Sequence, residues 1–290
     1  KAETIISLDA DILGDWQGGG YDVGYSSTRI PKKDNGEKFK MSYHMQFEAN
    51  MTLSGANADK RIPASPAVVK KILAFIYAEL TNYSIDVELE PKIHQAASLA
   101  IKMIRSSKSK AVIVSGIQDV SVQELVLAIN SLIKSEAFDP KNPKLIRQGN
   151  TKELLEVIDN LKQDKIGGLI SVGVNPVNNL ANGSGLAEAI KKLDFSATFS
   201  TKMNETASAS QYVGALNHYL ESWGDFEFKS GHFLIAQPTI RPLFDTLQFQ
   251  DILINLLDEE LDYYDYIKKY WISNILAGAS FKKAIHDGGI

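Results

Sequence analysis

The chain has 290 residues, of which 44% are hydrophobic, so it can bury a sizeable core in one large or two medium domains. Its formal net charge of −4 supplies no basic surface, which argues against nucleic acid as a partner. Because it has no cysteine, disulfides, thiolate metal sites and cysteine-ligated iron–sulfur clusters are excluded within these residues.

The first 85 residues predict a partial α/β unit. Apolar runs bounded by turn residues predict strands, and apolar spacing after a proline predicts a helix. Glycines and charges without periodicity predict a long flexible loop that lacks regular structure. The predicted elements are a strand over Thr4 to Leu8, the flexible loop near residues 15–40, a strand over His44 to Leu53, a helix from Pro66 to Leu80 and a linker over Asn82 to Pro91.

Residues 86–290 predict a second α/β domain in which strands and helices alternate. Such alternation implies right-handed crossovers and mainly parallel sheets, so the predicted fold class is α/β. The predicted elements are a helix over Pro91 to Arg105, a strand over Ala111 to Ser115, helices over Val122 to Ile133 and Thr151 to Gln163, a strand over Gly168 to Val172, a helix over Leu186 to Leu193, a strand over Ser196 to Ser200 and a helix over Glu205 to Val213.

Beyond Asp225 the pattern predicts an irregular carboxyl-terminal extension. Helical periodicity resumes over Phe249 to Leu257 and again over Leu261 to Leu276. The last helix carries four tyrosines and Trp271, which are a partner surface or ordinary packing, and burial tendencies favour packing.

Two polar segments follow predicted strands. Gly173, Asn175 and Pro176 form a turn after one strand, and Asn204 can cap a helix that begins with Glu205. Because ligands of α/β proteins bind at the carboxyl ends of strands, the first turn is either a nucleotide site or a plain Asn-Pro turn.

Known catalytic patterns are missing. There is no Walker loop, no complete GxGxxG and no glycine-flanked serine nucleophile. His218 and Glu221 are three residues apart, but two candidate ligands are weak grounds for a metal site.

The order of six motifs resembles one family. They are SLDADILG (7–14), MTLSGANADKRIPASP (51–66), GVNPVNN (173–179), STKMNETA (200–207), HYLESWGD (218–225) and QPTIRPLFDTLQFQDIL (237–253). With them the chain resembles the molybdopterin oxidoreductase superfamily. Within it, the chain is most similar to the molybdopterin-like half of the large iron–sulfur subunit of alternative complex III, a quinol:electron acceptor oxidoreductase.

The resemblance implies positions for a molybdopterin guanine dinucleotide. The implied residues are Gly173, Asn175, Pro176, Glu205, Thr206, Glu221 and Gly224. The chain has no cysteine for molybdenum or for clusters, and no β-barrel that would close over the pterin. The resemblance therefore implies a vestigial site and no catalysis by this chain alone. Since these residues include no cysteine, iron–sulfur clusters are expected only in a portion outside the chain. The chain begins at Lys1 without Met and is expected to be a fragment or processed product.

The implied role is a cofactor-free scaffold in a respiratory electron-transport complex. Its implied partners are the iron–sulfur half of the same polypeptide, a membrane quinol-oxidising subunit and c-type cytochrome subunits, at the periplasmic face of the cytoplasmic membrane. One alternative is a dinucleotide-binding fragment that needs its missing domains, and another is a stand-alone nucleotide-binding protein. For the scaffold, the side chains of Glu205, His218, Glu221 and Asp225 are expected to be satisfied by one another, by backbone or by water.

Overall fold

Two α/β units make up the chain. A computed structural model describes residues 2–34, 38–146 and 149–290. The chain divides into unit 1, Lys1–Pro143, and unit 2, Lys144–Ile290. Each unit contains a parallel sheet with flanking helices, which confirms the predicted fold class. The domain boundary predicted near residue 85 falls inside unit 1.

Unit 1 is built on one four-stranded sheet. Its elements are β1 Thr4–Leu8, α1 Asp22–Arg29, β2 Lys32–Asp34, β3 Lys38–Lys40, β4 Tyr43–Glu48, α2 Leu53–Asn57, β5 Lys60–Pro63, α3 Pro66–Thr81, α4 Pro91–Ser107, β6 Ala111–Ser115 and α5 Val120–Leu132. The parallel sheet has the order β5-β4-β1-β6, and β2 pairs with β3 in an antiparallel ladder. Because β6 pairs with β1, the sheet joins residues on both sides of the predicted boundary.

The four-stranded sheet of unit 1 carries buried apolar side chains because both of its faces are covered. Ile6, Met45 and Phe47 are fully buried against α3, α4 and α5. Ile5 lies on the other face in a smaller cluster with Ile12. Each large apolar side chain buried in this way contributes about 1.5–3 kcal/mol to stability.

The prediction of a flexible loop near residues 15–40 is wrong in part, because this segment contains α1 and the β2–β3 pair. Helix α1 has no buried residue, so the sequence shows no apolar stripe there. Polar contacts hold it instead: the Arg29 guanidinium pairs with Asp59 at 2.5 Å, and the Tyr25 hydroxyl donates to the Asn57 carbonyl at 3.0 Å. Residues 35–37 of the predicted loop lie outside the described residues.

Strand β4 is shorter than predicted, since it ends at Glu48 rather than at Leu53. The chain turns at this point because Thr52 caps α2. Its hydroxyl accepts a hydrogen bond from the Gly55 amide at 3.1 Å, which begins a helix at Leu53.

Unit 2 contains two smaller sheets. Its elements are α6 Thr151–Lys162, β7 Gly168–Val172, α7 Pro176–Asn179, α8 Gly183–Lys191, β8 Phe195–Ser200, α9 Glu205–Ala209, β9 Tyr212–Ala215, β10 Gly224–Lys229, β11 His232–Ala236, α10 Phe249–Leu256, α11 Tyr263–Asn274 and α12 Phe281–Asp287. Strands β7, β8 and β9 form a parallel sheet with β8 in the centre, and β10 and β11 form an antiparallel hairpin.

The prediction of a helix over Glu205 to Val213 is wrong in its second half. The observed helix α9 ends at Ala209, and β9 follows. Gln211 links this segment to β8. Its side-chain carbonyl accepts from the Ser196 amide at 3.3 Å, and its side-chain amide donates to the Leu193 carbonyl at 2.9 Å. The chain is thereby held in an extended path beside β8.

The prediction of an irregular extension after Asp225 is wrong in part, because the segment holds the hairpin and helix α12. The two helices predicted there are confirmed as α10 and α11. Gly231, with φ of +77°, makes the tight turn of the hairpin. Behind the hairpin, Trp271 is fully buried and packs with Ile235 and Phe281. Packing is thus confirmed for Trp271, whereas Tyr266 and Tyr270 are about half exposed.

One buried amide joins helix α5 to the edge strand β6. Asn130 accepts a hydrogen bond from the Ile113 amide at 3.0 Å and donates to the Ile113 carbonyl at 2.7 Å and the Val126 carbonyl at 3.0 Å. The Ser135 hydroxyl similarly donates to the Ala111 carbonyl at 2.6 Å. These side chains satisfy strand groups that have no neighbouring strand on that side.

Replacing Asn130 by leucine leaves the backbone groups of Ile113 buried and unpaired, so we expect a loss of about 1–3 kcal/mol in the free energy of unfolding. Urea denaturation followed by far-UV circular dichroism measures it. Ser131→Ala, at an exposed position of the same helix, is the control and should change stability by less than about 0.5 kcal/mol. Equal stabilities for the two variants would contradict the role of the amide.

Candidate functional site

The carboxyl ends of β7 and β8 lie side by side because these strands run parallel. After β7 the chain turns at Gly173, whose φ of +64° favours glycine and whose amide donates to the Phe199 carbonyl at 2.9 Å. Pro176 then begins the short helix α7. After β8, Asn204 caps α9 by accepting from the Ala207 amide at 2.9 Å.

Asn175, Glu205 and Thr206, here named the Asn175 clamp, join these two turns. The Asn175 side-chain amide donates to the Glu205 carboxylate at 2.7 Å. Its carbonyl accepts from the Thr206 hydroxyl at 2.8 Å and from the Thr206 amide at 3.2 Å. The buried Thr206 hydroxyl in turn accepts from the Val177 amide at 3.1 Å. Hydrogen bonding to Asn175 lowers the pKa of Glu205, which therefore stays ionised at neutral pH.

Five of the seven predicted site residues thus come together at one sheet edge, namely Gly173, Asn175, Pro176, Glu205 and Thr206. A groove of about 360 Å³ lies beside them. Asn175 and Pro176 belong to its lining, together with apolar side chains of α6, β7 and α8. The groove is therefore mainly apolar, and Ser171, Asn175 and Asn179 are its polar lining residues.

Glu221 and Gly224 belong to a different part of unit 2. One Glu221 carboxylate oxygen accepts from the His218 amide at 2.9 Å and the other from the Leu243 amide at 3.1 Å. The His218 ring accepts from the Leu220 amide at 3.3 Å, which completes a capping box. Gly224 begins β10. In the described part of the chain, no hydrogen bond links either residue to the Asn175 clamp.

Asp225 connects the hairpin to helix α11. Its carboxylate accepts from the Trp271 indole at 3.0 Å and from the Tyr263 hydroxyl at 3.2 Å. Burial, and then the adjacent Asp225 charge, raise the pKa of Tyr263. His218 and Glu221 thus pair with each other and with backbone groups, as expected, whereas Glu205 and Asp225 pair with the other side chains Asn175, Tyr263 and Trp271. Within the described residues, no three His, Cys, Asp or Glu side chains cluster as metal ligands would.

A buried polar row on β4 was missed by the sequence reasoning. His44, Gln46 and Glu48 alternate with the core residues Met45 and Phe47, and all three are fully buried. The signal was present: polar residues at every second position of a strand in a parallel sheet must be satisfied inside the protein.

The row is hydrogen-bonded from end to end. The Gln46 amide donates to the Ala10 carbonyl at 3.2 Å and to the Glu48 carboxylate at 3.1 Å. The Gln46 carbonyl is therefore left to accept from the His44 ring at 3.1 Å, and the other His44 nitrogen faces the Tyr25 hydroxyl at 3.2 Å. Burial lowers the pKa of His44, which favours its neutral form.

Glu48 ends the row as a fully buried carboxylate. It accepts from the Thr52 hydroxyl at 2.7 Å and from the Arg61 guanidinium at 2.6 Å. Burial alone would raise the pKa of Glu48, but the hydrogen bonds from Thr52 and Arg61 outweigh burial and lower it. Gly55 is packed against the carboxylate so closely that a β-carbon there would overlap it.

The SLDADILG (7–14) and MTLSGANADKRIPASP (51–66) motifs meet beside this row. One Asp11 carboxylate oxygen accepts from the Ser54 hydroxyl at 2.6 Å and the Ser54 amide at 2.9 Å. Asp59 accepts from the His44 amide at 2.7 Å in addition to its Arg29 pair. These motif residues tie α1, α2 and β4 together, and every contact described for them is internal to unit 1.

Comparisons with known proteins show a shared fold. No family model and no curated protein matches the chain. Among solved structures, it is similar to acetylene hydratase from Pelobacter acetylenicus, with a TM-score of 0.57 and 11% sequence identity. The match covers 85% of this chain but 45% of that chain, so this chain spans less than half the length of its neighbour.

At 11% identity the likeness establishes the fold alone. It supports an α/β fold shared with part of acetylene hydratase. It does not single out alternative complex III, and it assigns no role to Asn175, Glu205 or any other residue. Separately, none of the helices in the described ranges is long and apolar enough to cross a bilayer.

We expect Glu48 to make unfolding pH-dependent. Because its pKa is lower in the folded protein, its stabilisation is fully present above the unfolded value of about 4.3 and is lost as pH falls through the folded value. Glu48→Gln should therefore cost about 1–3 kcal/mol at pH 7, and the difference from wild type should shrink towards pH 3. Urea denaturation across this range measures it.

Glu79→Gln, at an exposed position of α3, is the control and should follow the wild-type pH curve within about 0.5 kcal/mol. A stability difference for Glu48→Gln that stays constant from pH 7 to pH 3 would show that the Glu48 charge is not what the hydrogen bonds stabilise.

Asn175→Asp replaces the side-chain amide that donates to the Glu205 carboxylate at 2.7 Å with a second carboxylate. Repulsion between the two carboxylates and the lost amide donor should lower the free energy of unfolding measurably below that of wild type. Thermal or urea unfolding measures this loss, and added salt should diminish it. Asn178→Ala, an exposed position on α7, should stay within about 0.5 kcal/mol of wild type, and a similar loss there would argue against a specific clamp.

Proposed function

We propose that this chain is a structural platform: a cofactor-free scaffold portion of a respiratory quinol-oxidising membrane complex related to alternative complex III. The observation that carries the proposal is the Asn175 clamp. Its hydrogen-bonding groups are directed at one another across two strand ends, so they hold the loops in one arrangement. A rigid sheet edge suits a scaffold that positions neighbouring parts.

The geometry of the clamp can be tested against the group that the resemblance implies. The phosphates of a dinucleotide need N–H or O–H donors that face outwards. The Thr206 hydroxyl donates to Asn175, and the Asn175 amide donates to Glu205. The ionised Glu205 also repels a phosphate. The clamp residues therefore do not fit the phosphate arm, which supports a structural role for them.

The partners and the location belong to the same proposal. The motif resemblance supports contact with the iron–sulfur half of the same polypeptide, with a membrane quinol-oxidising subunit and with c-type cytochrome subunits. It also supports a peripheral place on the periplasmic face of the cytoplasmic membrane. The fold shared with part of a longer chain, acetylene hydratase, is consistent with a domain that works beside others.

Guanine nucleotides test the scaffold proposal directly. We expect isothermal titration calorimetry of the chain with guanosine diphosphate to show no saturable heat at concentrations up to about 1 mM. Asn175→Ala is the matched variant and should also bind nothing. Saturable binding at micromolar concentration that Asn175→Ala abolishes would overturn the proposal.

The groove beside the clamp favours one alternative. A ligand-sized space of about 360 Å³ at the carboxyl ends of parallel strands is where α/β proteins bind ligands. A fragment of a molybdopterin guanine dinucleotide-binding oxidoreductase would use it once joined to further domains. Elemental analysis of the purified native complex distinguishes the two: stoichiometric molybdenum supports the alternative, and a metal-free, active complex supports the scaffold.

A further inference from the structure

Helices α10 and α11 enclose an apolar groove on the surface of unit 2. The groove has a volume of about 310 Å³. Its apolar lining is contributed by Ile254, Leu257, Leu261, Tyr266 and Tyr270. Leu257 is 73% exposed and Tyr270 is 46% exposed, although leucine and tyrosine of a folded core are normally covered. This set of residues is here named the α10–α11 groove.

The tyrosines give the groove a flat, ordered wall. On α11 the rings of Tyr266 and Tyr270 are 6.4 Å apart and nearly parallel, at 7°. The ring of Tyr263 continues the row at 6.0 Å from Tyr266. A row of rings spaced three and four residues apart along one helix presents a surface into which the side chains of another helix can fit.

The rim of the groove is acidic. Glu259 lines the groove, and Asp258 and Glu260 flank it in the segment between the two helices. Among the described ion pairs none involves these three carboxylates.

Basic residues nearby balance only part of this charge. Lys269 lines the groove, and Lys268 lies over the Tyr264 ring at 5.9 Å. Three carboxylates against two lysines leave the rim negative. This charge disfavours an anionic bilayer as the occupant and favours a partner that carries lysine or arginine.

We propose that the α10–α11 groove is a docking site for a basic amphipathic helix of a partner protein. Apolar side chains at i, i+4 and i+7 of the partner would enter between Leu257 and Tyr270, and its lysines or arginines would face Glu259 and Glu260. Helix-in-groove recognition of this kind combines apolar burial with electrostatic steering. The inference is independent of the role proposed for the Asn175 clamp, because the two surfaces share no residue.

A designed peptide tests the site. The probe is a helical peptide of about 18 residues with leucine at i, i+3, i+4 and i+7 spacing and lysine elsewhere. The control peptide has the same leucines and glutamate in place of every lysine. Calorimetry should show saturable binding of the lysine peptide at 1:1 stoichiometry. We expect at least tenfold weaker binding of the glutamate peptide, and weaker binding of the lysine peptide as salt rises.

Variants show whether the groove is the surface used. Leu257→Asp should weaken binding of the lysine peptide at least tenfold, and the double variant Glu259→Lys, Glu260→Lys about tenfold. Leu132→Asp is the control, because Leu132 is a similarly placed exposed leucine in unit 1 and should have no effect. Far-UV circular dichroism checks that each variant is folded.

Several results would overturn the proposal. They are no binding at about 1 mM peptide, equal affinity for the two peptides, or equal effects of Leu257→Asp and Leu132→Asp. Sedimentation velocity adds one more: a dimer of the chain that Leu257→Asp converts to a monomer would assign the groove to a second copy instead.

Discussion

Parallel pairing of the strands is the constraint from which the other features of both units follow. Neighbouring parallel strands end at the same edge of a sheet, and each must be followed by a crossover, so the polar turns of each unit collect at one edge. In unit 2 this places Asn175 and Thr206, which are far apart in the chain, within hydrogen-bonding distance. In unit 1 it places the end of β4 beside the loop that follows β1, where Asp11 meets Ser54.

Covering a sheet on both faces creates a second requirement, which the β4 row meets. A polar side chain inside a protein loses its contacts with water, and a charged one loses more. Gln46 solves this by using both halves of its amide, towards His44 on one side and Glu48 on the other. In the described part of the chain, no buried side-chain nitrogen or oxygen lacks a hydrogen-bond partner. Both units thus use polar groups to fix loops, while apolar packing supplies most of the stability.

The strands Thr4–Leu8, Ala111–Ser115 and Gly168–Val172 were predicted to the residue, because each is a short apolar run between turn residues. Helix α1 was missed since none of its residues is fully buried, and β9 was missed since Gln211 is positioned by distant residues. The clamp followed from the carboxyl-end rule for parallel strands. Glu221 lies in a different part of unit 2 from the clamp, because the path of the chain beyond β9 depends on caps and a hairpin without sequence periodicity.

Asn130 has a consequence beyond the energy of its hydrogen bonds. An edge strand with free amide and carbonyl groups is a template on which another chain can add a strand, and such addition begins domain swapping and fibril growth. At the outer edge of β6, the Asn130 side chain already occupies both backbone groups of Ile113, and Ser135 occupies the carbonyl of Ala111. An incoming strand would have to displace buried side chains before it could pair, so the sheet of unit 1 is closed to growth on this side.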